Sequence, residues 1–229
     1  MLWQEEENRE EFQVPEDVVD LHFDIKCREL PVDHIHDLSK ALQEALPWLT
    51  QEAELGIHEI HLAGSQNGWE RPEPGSDQRL ILSRRTKLVI RTPKHRVDQL
   101  QQEMADLELE IDDCVMVVGK ARVKPLSSQG TLYAHHVALK EDEVDDENKF
   151  LQRMAAELAE RGIRVKKALC GKSGEILTPE GSIPTRSVML ADLNPADAVA
   201  LQEQGLGAHR NLGCGIFLPM KGIKKVAED

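Results

Sequence analysis

The chain is poor in aromatic side chains: eight of its 229 residues, only one of them tyrosine. No strand-like segment carries an FxF-type pair of rings, so the aromatic platform on which some sheets stack RNA bases is missing. The four cysteines, Cys27, Cys114, Cys170 and Cys214, form no CxxC pair. That argues against a zinc ribbon or redox motif and for reduced thiols in the cytosol. No apolar run approaches the ~18 residues of a membrane span. The first residues, MLWQEEENREEF, are acidic and read as neither a signal nor a transit peptide. A cytoplasmic protein without membrane contact is expected.

Positive charge is also scarce in the total, which is −13. The deficit is local. Residues 1–20 hold eight acids and one base, and residues 141–147 (EDEVDDE) hold six acids and no base. The remaining 202 residues carry 27 acids and 27 bases. The acidic pI therefore reflects a tail and a linker and leaves room for basic working surfaces.

The pattern of apolar residues divides the chain into an acidic tail (1–15), an N-terminal unit (16–140), an acidic linker (141–148) and a C-terminal unit (149–229). VVDLHFDIKC alternates as a half-buried strand does. Leu38, Leu42, Ala45 and Leu46 then recur at helical spacing after a cap near Asp33. IHEIHLAG (57–64), RLILS and TKLVIRT read as strands, and PKHRVDQLQQEMADL reads as a helix with Pro93 near its start. DCVMVVGKARVKPL and TLYAHHVAL add further strand to the N-terminal unit. The C-terminal unit predicts an amphipathic helix ending at Gly162 and a strand hairpin around 179–181. A helix capped by Asn194 and a last strand, GIFLP, follow. The fold class expected is α+β, two ferredoxin-like βαββαβ domains in tandem.

The last helix runs into GLGAHRNLGCG (205–215). This stretch follows a helix and precedes a strand, the reverse of a dinucleotide fingerprint, so a nucleotide cofactor is not expected. Gly205 reads as a helix C-cap, and Gly207, Gly213 and Gly215 would let backbone approach a ligand closely. His209 and Arg210 would supply charge to phosphates.

With that loop, the chain resembles the CRISPR-associated endoribonucleases that cut precursor CRISPR RNA in its repeats. The resemblance is closest to the MYXAN subtype. It rests on LPVDHIHDLSKAL, GIHEIHLAGSQNGWERP, LSRRTKLVIR, KPLSSQGTLYAHHV, TRSVMLADL and the loop Gly205, Gly207, Gly213, Gly215. The resemblance implies a metal-independent reaction: a 2′-OH attacks the adjacent phosphate and leaves 2′,3′-cyclic phosphate and 5′-OH ends. It implies CRISPR repeat RNA as partner, in precursor and mature guide form, other effector-complex subunits as further partners, and no cofactor. A non-cleaving repeat-RNA-binding subunit is the alternative, and monomer or homodimer stays open.

Such chemistry wants a base, an acid and nearby cations, and histidine suits both proton tasks. By analogy with the family, His36 and His34 at the first helix are catalytic candidates, with Lys40 one turn after His36 to stabilise charge. In a helix His34 and His36 would diverge by roughly 200°; the other reading is that His34 accompanies Asp33 in a capping role and His36 is simply exposed. His58 is the next candidate, or a histidine satisfied on a sheet face. Trp69 either stacks on an RNA base or anchors its loop. Arg71, Arg84, Arg85 and Arg186 are RNA-facing candidates, as are Gly207, His209, Arg210, Gly213 and Gly215. No metal site is expected.

Overall fold

Two antiparallel sheets organise the chain in the computed structural model, which describes residues 12–61, 78–139 and 146–220. Strand β1 (Val18–Lys26) turns Leu21 and Phe23 into the first core and Asp20 and His22 to the other face. A short β2 (Glu29–Pro31) leads to helix α1 (Ile35–Ala45), whose Ile35, Leu38 and Leu42 pack on that core. Each such burial stabilises by about 1.5–3 kcal/mol relative to exposure. Strand β3 (Gly56–Ile57) follows, then β4 (Arg79–Ile81), which pairs with β2 outside the main sheet. Next come β5 (Lys87–Pro93), α2 (Val97–Glu103), β6 (Glu108–Ile111) and β7 (Cys114–Pro125). The sheet order β3-β5-β1-β7-β6 is a ferredoxin-like arrangement with β6 added by a hairpin.

Strand β8 (Leu132–Val137) opens the second unit. It is followed by α3 (Glu147–Glu160), the long hairpin β9 (Lys167–Thr178) and β10 (Gly181–Ala191), α4 (Pro195–Gln204) and β11 (Leu218–Pro219). The order β11-β8-β10-β9 repeats the ferredoxin-like pattern. Its core gathers Leu132, Phe150, Met154, Leu158, Val188 and Phe217.

Four sequence expectations change. TLYAHHVAL, assigned to the N-terminal unit, is the first strand of the second sheet, because β8 pairs with β10 and β11. Without it the C-terminal unit would be αββαβ, short of the strand that lies between β10 and β11. The acidic run lies inside the second unit, after its first strand. Residues 140–145 of it lie outside the described residues, Asp146 caps α3 by accepting from the amides of Asn148 and Lys149, and Glu147 is the helix's first residue. IHEIHLAG is strand only at Gly56–Ile57, and its residues 62–64 lie outside the described residues. The helix expected over 93–107 is shorter: Pro93 closes β5 and caps a 3-10 turn at Lys94–Arg96, and α2 runs from Val97 to Glu103. Two expected caps hold: Asn194 accepts from the Asp197 amide, and Gly162, at φ +75°, ends α3. Helix α1, by contrast, has His34 at its N-cap position with no side-chain cap bond, so the cap expected near Asp33 does not form.

The two units are tied by Arg91, which is fully buried. Its guanidinium grips both Asp20 oxygens at 2.7 and 2.9 Å and donates to the Gln202 and Phe217 carbonyls at 2.9 and 3.2 Å. A strand of the first sheet thereby holds the C-terminal end of α4, where unpaired carbonyls favour cations. Burial raises the Asp20 carboxyl, but Arg91 and His58 outweigh it and hold the group well below the usual carboxylate range.

Candidate active site

The end of α4, the glycine-rich stretch and α1 meet at the junction of the units. His36, Ser39, Lys40, Gln43 and Glu44 occupy one face of α1, at the i, i+3, i+4, i+7 spacing of neighbours on a helix. Facing them are the tip of the β9–β10 hairpin, Thr178–Ile183, and His209, Asn211 and Leu212 of the loop. Together they line an open cleft of about 750 Å³.

His36 is paired with its neighbour in sequence. Its Nδ1 lies 3.2 Å from Asp37 Oδ1. A carboxylate accepting at this contact selects the tautomer with the proton on Nδ1 and leaves Nε2 as acceptor. Lys40, one turn along, is well exposed and 3.9 Å from Glu44, an exposed pair that holds it weakly. His209 enters from the loop with left-handed backbone, φ +62° and ψ +41°. For a residue with a side chain that geometry costs on the order of 1–3 kcal/mol, and strain of this kind concentrates at working sites.

The glycines serve the loop itself. The Gly215 amide donates to the His136 carbonyl at 2.7 Å and the Ala208 amide to the Ala138 carbonyl at 3.1 Å, locking the loop to the β8 segment. A Cβ on Gly207 would overlap the Ala138 carbonyl, and one on Gly215 the Leu206 carbonyl. Gly213 meets nothing closer than 3.5 Å, and its demand is the positive φ of +76°. The amides of Leu206, Ala208, Leu212, Gly213, Cys214 and Gly215 all bond to protein carbonyls. The close approach foreseen for a ligand at Gly207 and Gly215 is therefore an approach of the chain to itself.

A protein-family model described as Cas6 Crispr matches residues 19–222. The chain belongs to the Cas6 family. It is a Cas6 of the MYXAN type. It is 27% identical over 201 residues to the CRISPR-associated endonuclease Cas6 of Myxococcus xanthus (strain DK1622), spanning 88% of this chain and 81% of that protein. A solved CRISPR associated protein Cas6 has a TM-score of 0.61 at 9% identity, covering 89% of this chain and 100% of that one. A RAMP protein binding different RNA substrates reaches 0.62 at 11%, covering 89% and 100%. The product of a Cas6-related gene from Pyrococcus furiosus reaches 0.58 at 14%, covering 91% and 99%. At such identities the likeness concerns fold: two ferredoxin-like domains.

On this Cas6 fold, three of the residues singled out in the sequence, His36, Lys40 and His209, share one cleft. Four others turn inward, against the expectation for them. His34 is fully buried: its Nδ1 donates to the Pro31 carbonyl at 2.9 Å and its Nε2 accepts from the Ile60 amide at 3.1 Å, so both nitrogens are committed. His58 is 6% exposed, 3.5 Å from Asp20, and burial lowers its pKa despite that carboxylate. Arg186 is buried between the Gly171 carbonyl and Glu147, over the Phe150 ring. Arg210 folds under the loop, donating to the Glu203 carbonyl at 2.6 Å. Arg84 and Arg85 are exposed on the turn between β4 and β5 and do not line the cleft. Trp69 and Arg71 lie outside the described residues.

Sequence reasoning missed Ser39, Gln43, Asn211 and the hairpin tip. Ser39 and Gln43 were readable, since they continue the helix face begun by His36 and Lys40. The hairpin tip comes to α1 only through the packing of the two units.

Proposed function

We propose that this Cas6-family protein is an endoribonuclease that matures CRISPR guide RNA by cutting repeat RNA in the cleft between α1 and the glycine-rich loop. The carrying observation is the convergence of His36, oriented by Asp37, with Lys40 and His209 on one open cleft. A repeat strand lies with its scissile phosphate between them. His36 Nε2 removes the 2′-OH proton as that oxygen attacks phosphorus in line. The P–O5′ bond breaks, and His209 protonates the departing 5′-oxygen. Lys40 stabilises the charge that builds on the non-bridging oxygens. The products are a 2′,3′-cyclic phosphate and a 5′-OH, and the atoms balance without a metal.

The test is single-turnover cleavage, in EDTA, of the repeat RNA from the CRISPR array encoded with the protein. We expect cyclic-phosphate ends, and no cutting when the scissile nucleotide lacks its 2′-OH. His36→Ala and His209→Ala each slow cutting by about 10²–10⁴ with little loss of affinity. Cleavage of the 2′-deoxy RNA would defeat the mechanism, and normal rates in both variants would defeat the site.

A further inference from the structure

A second cavity, of about 370 Å³, opens beside the cleft and shares Gln43, His209 and Asn211 with it. This is within the ~300–1,000 Å³ range of small-ligand pockets. Its floor is apolar: Leu49, Leu55 and Ile57 are all buried. Its polar lining is Gln43, His209 and Asn211, which it shares with the cleft, with Thr50, Glu52 and Arg210. Gln43 donates through Nε2 to Ser39 Oγ at 2.7 Å, which fixes its amide at the mouth and leaves the carbonyl oxygen as an acceptor. Asn211 offers a second amide, with one acceptor and two donors. Arg210 forms part of the wall. Its Nη1 is spent on the Glu203 carbonyl, while Nε and Nη2 have no hydrogen-bond partner among the described residues. Burial lowers the Arg210 guanidinium to about 10, so it stays a cation at neutral pH and gives the wall positive potential. Glu52, the one acid on the rim, is already held by Arg96 at 2.8 Å.

We infer that this cavity is a recognition pocket for a single nucleobase, that of a nucleotide flanking the scissile phosphate, read by Gln43 and Asn211. The inference rests on the proposed cleavage site. A phosphate held by His36, Lys40 and His209 places the neighbouring sugar at the shared rim, and the base on that sugar is the group that reaches the cavity. An apolar floor takes the base's faces, and two amides with a cationic wall match its hydrogen-bonding edge. Unstacked bases in single-stranded RNA are commonly read in this way. The phosphate contacts would position the strand, and this pocket would make the choice of bond depend on sequence.

The experiment uses the full chain and three forms of the same repeat RNA: intact, and abasic at the nucleotide on either side of the scissile phosphate. Cleavage rate and affinity by fluorescence anisotropy are both measured, for the wild type and for Gln43→Ala/Asn211→Ala. One abasic RNA should be cut by the wild type at least about tenfold more slowly, or bound that much more weakly, than intact RNA. The double variant should treat that RNA and the intact one within about threefold of each other. Asn211 is exposed and Gln43 half-buried, and an unchanged melting temperature checks the fold of the variant. Equal handling of all three RNAs by the wild type overturns the pocket. So does a double variant that loses as much on the abasic RNA as on the intact one. Binding without cutting by the wild type would overturn the nuclease reading, while the affinity comparison would still decide the pocket.

Discussion

His209 holds a conformation that suits glycine better than itself, at φ +62° between a left-handed Gly207 and a 3-10 turn. Its imidazole is exposed while the next side chain, Arg210, is folded under the loop. Adjacent residues in a tight turn part in this way, and only the environment decides which faces solvent. Strain retained at an exposed polar residue is a sign of use. We therefore expect His209→Gly to melt at or above the wild-type temperature, since the backbone strain is relieved. The same variant should cut repeat RNA about 10²–10⁴ more slowly. A variant that melts well below the wild type would make His209 a structural residue, as His34 is. His34 was one of two histidines favoured by the sequence. Its spacing from His36 was visible, but the carbonyl and amide that occupy its ring come from Pro31 and Ile60 and were not.

At the scale of the element, the glycine-rich loop is a packed strap between α4 and β11. Gly205, Gly207, Gly213 and Gly215 all have positive φ, but their neighbours differ. A methyl on Gly215 meets the Leu206 carbonyl oxygen, and one on Gly207 meets the Ala138 carbonyl oxygen, both rigid backbone. A methyl on Gly213 meets only ordinary contacts. Gly213→Ala should therefore cost about 1–2 kcal/mol in urea unfolding, the left-handed penalty alone. Gly215→Ala should cost clearly more, because the loop must leave the β8 segment. Equal costs would mean that backbone conformation, and not packing, is what the glycines serve. The glycine spacing was legible in the sequence. That the loop would be tied to the β8 segment was not, because the acceptors of the Ala208 and Gly215 amides, Ala138 and His136, are far away in sequence.

For the molecule as a whole, the junction between the units carries buried charge with a pH signature. Burial, with Lys124 adding to it, lowers His22 from its usual 6.5 to about 4, against the pull of Asp20. Burial lowers His58 too. In both cases the unfolded chain takes up the proton first. Stability is thus undiminished above pH 6.5 and falls as the pH drops toward 4. Asp20 works in the other window. Its depressed carboxyl contributes stability above its usual 3.8 that is lost only in stronger acid. Melting temperature measured from pH 7 to 4 should decline, and His22→Asn should flatten that decline. An unchanged slope would place the titration elsewhere.

The sequence by itself determined the local parts. Strand alternation in VVDLHFDIKC, helical spacing in α1, the Asn194 and Gly162 caps and the run of four glycines follow from residue-level physics that acts over a few positions. Together they were enough for two ferredoxin-like units, while His36 and Lys40 became candidates through the family resemblance and His209 through its place in the glycine-rich loop. Tertiary structure alone decided partnership. It gave β8 to the second sheet, although the acidic run after it reads as a boundary. It buried His34, His58, Arg186 and Arg210 and brought the β9–β10 hairpin tip to α1. A side chain's type fixes what it can bond to, but burial and partners come from segments distant in sequence, and no periodicity encodes them.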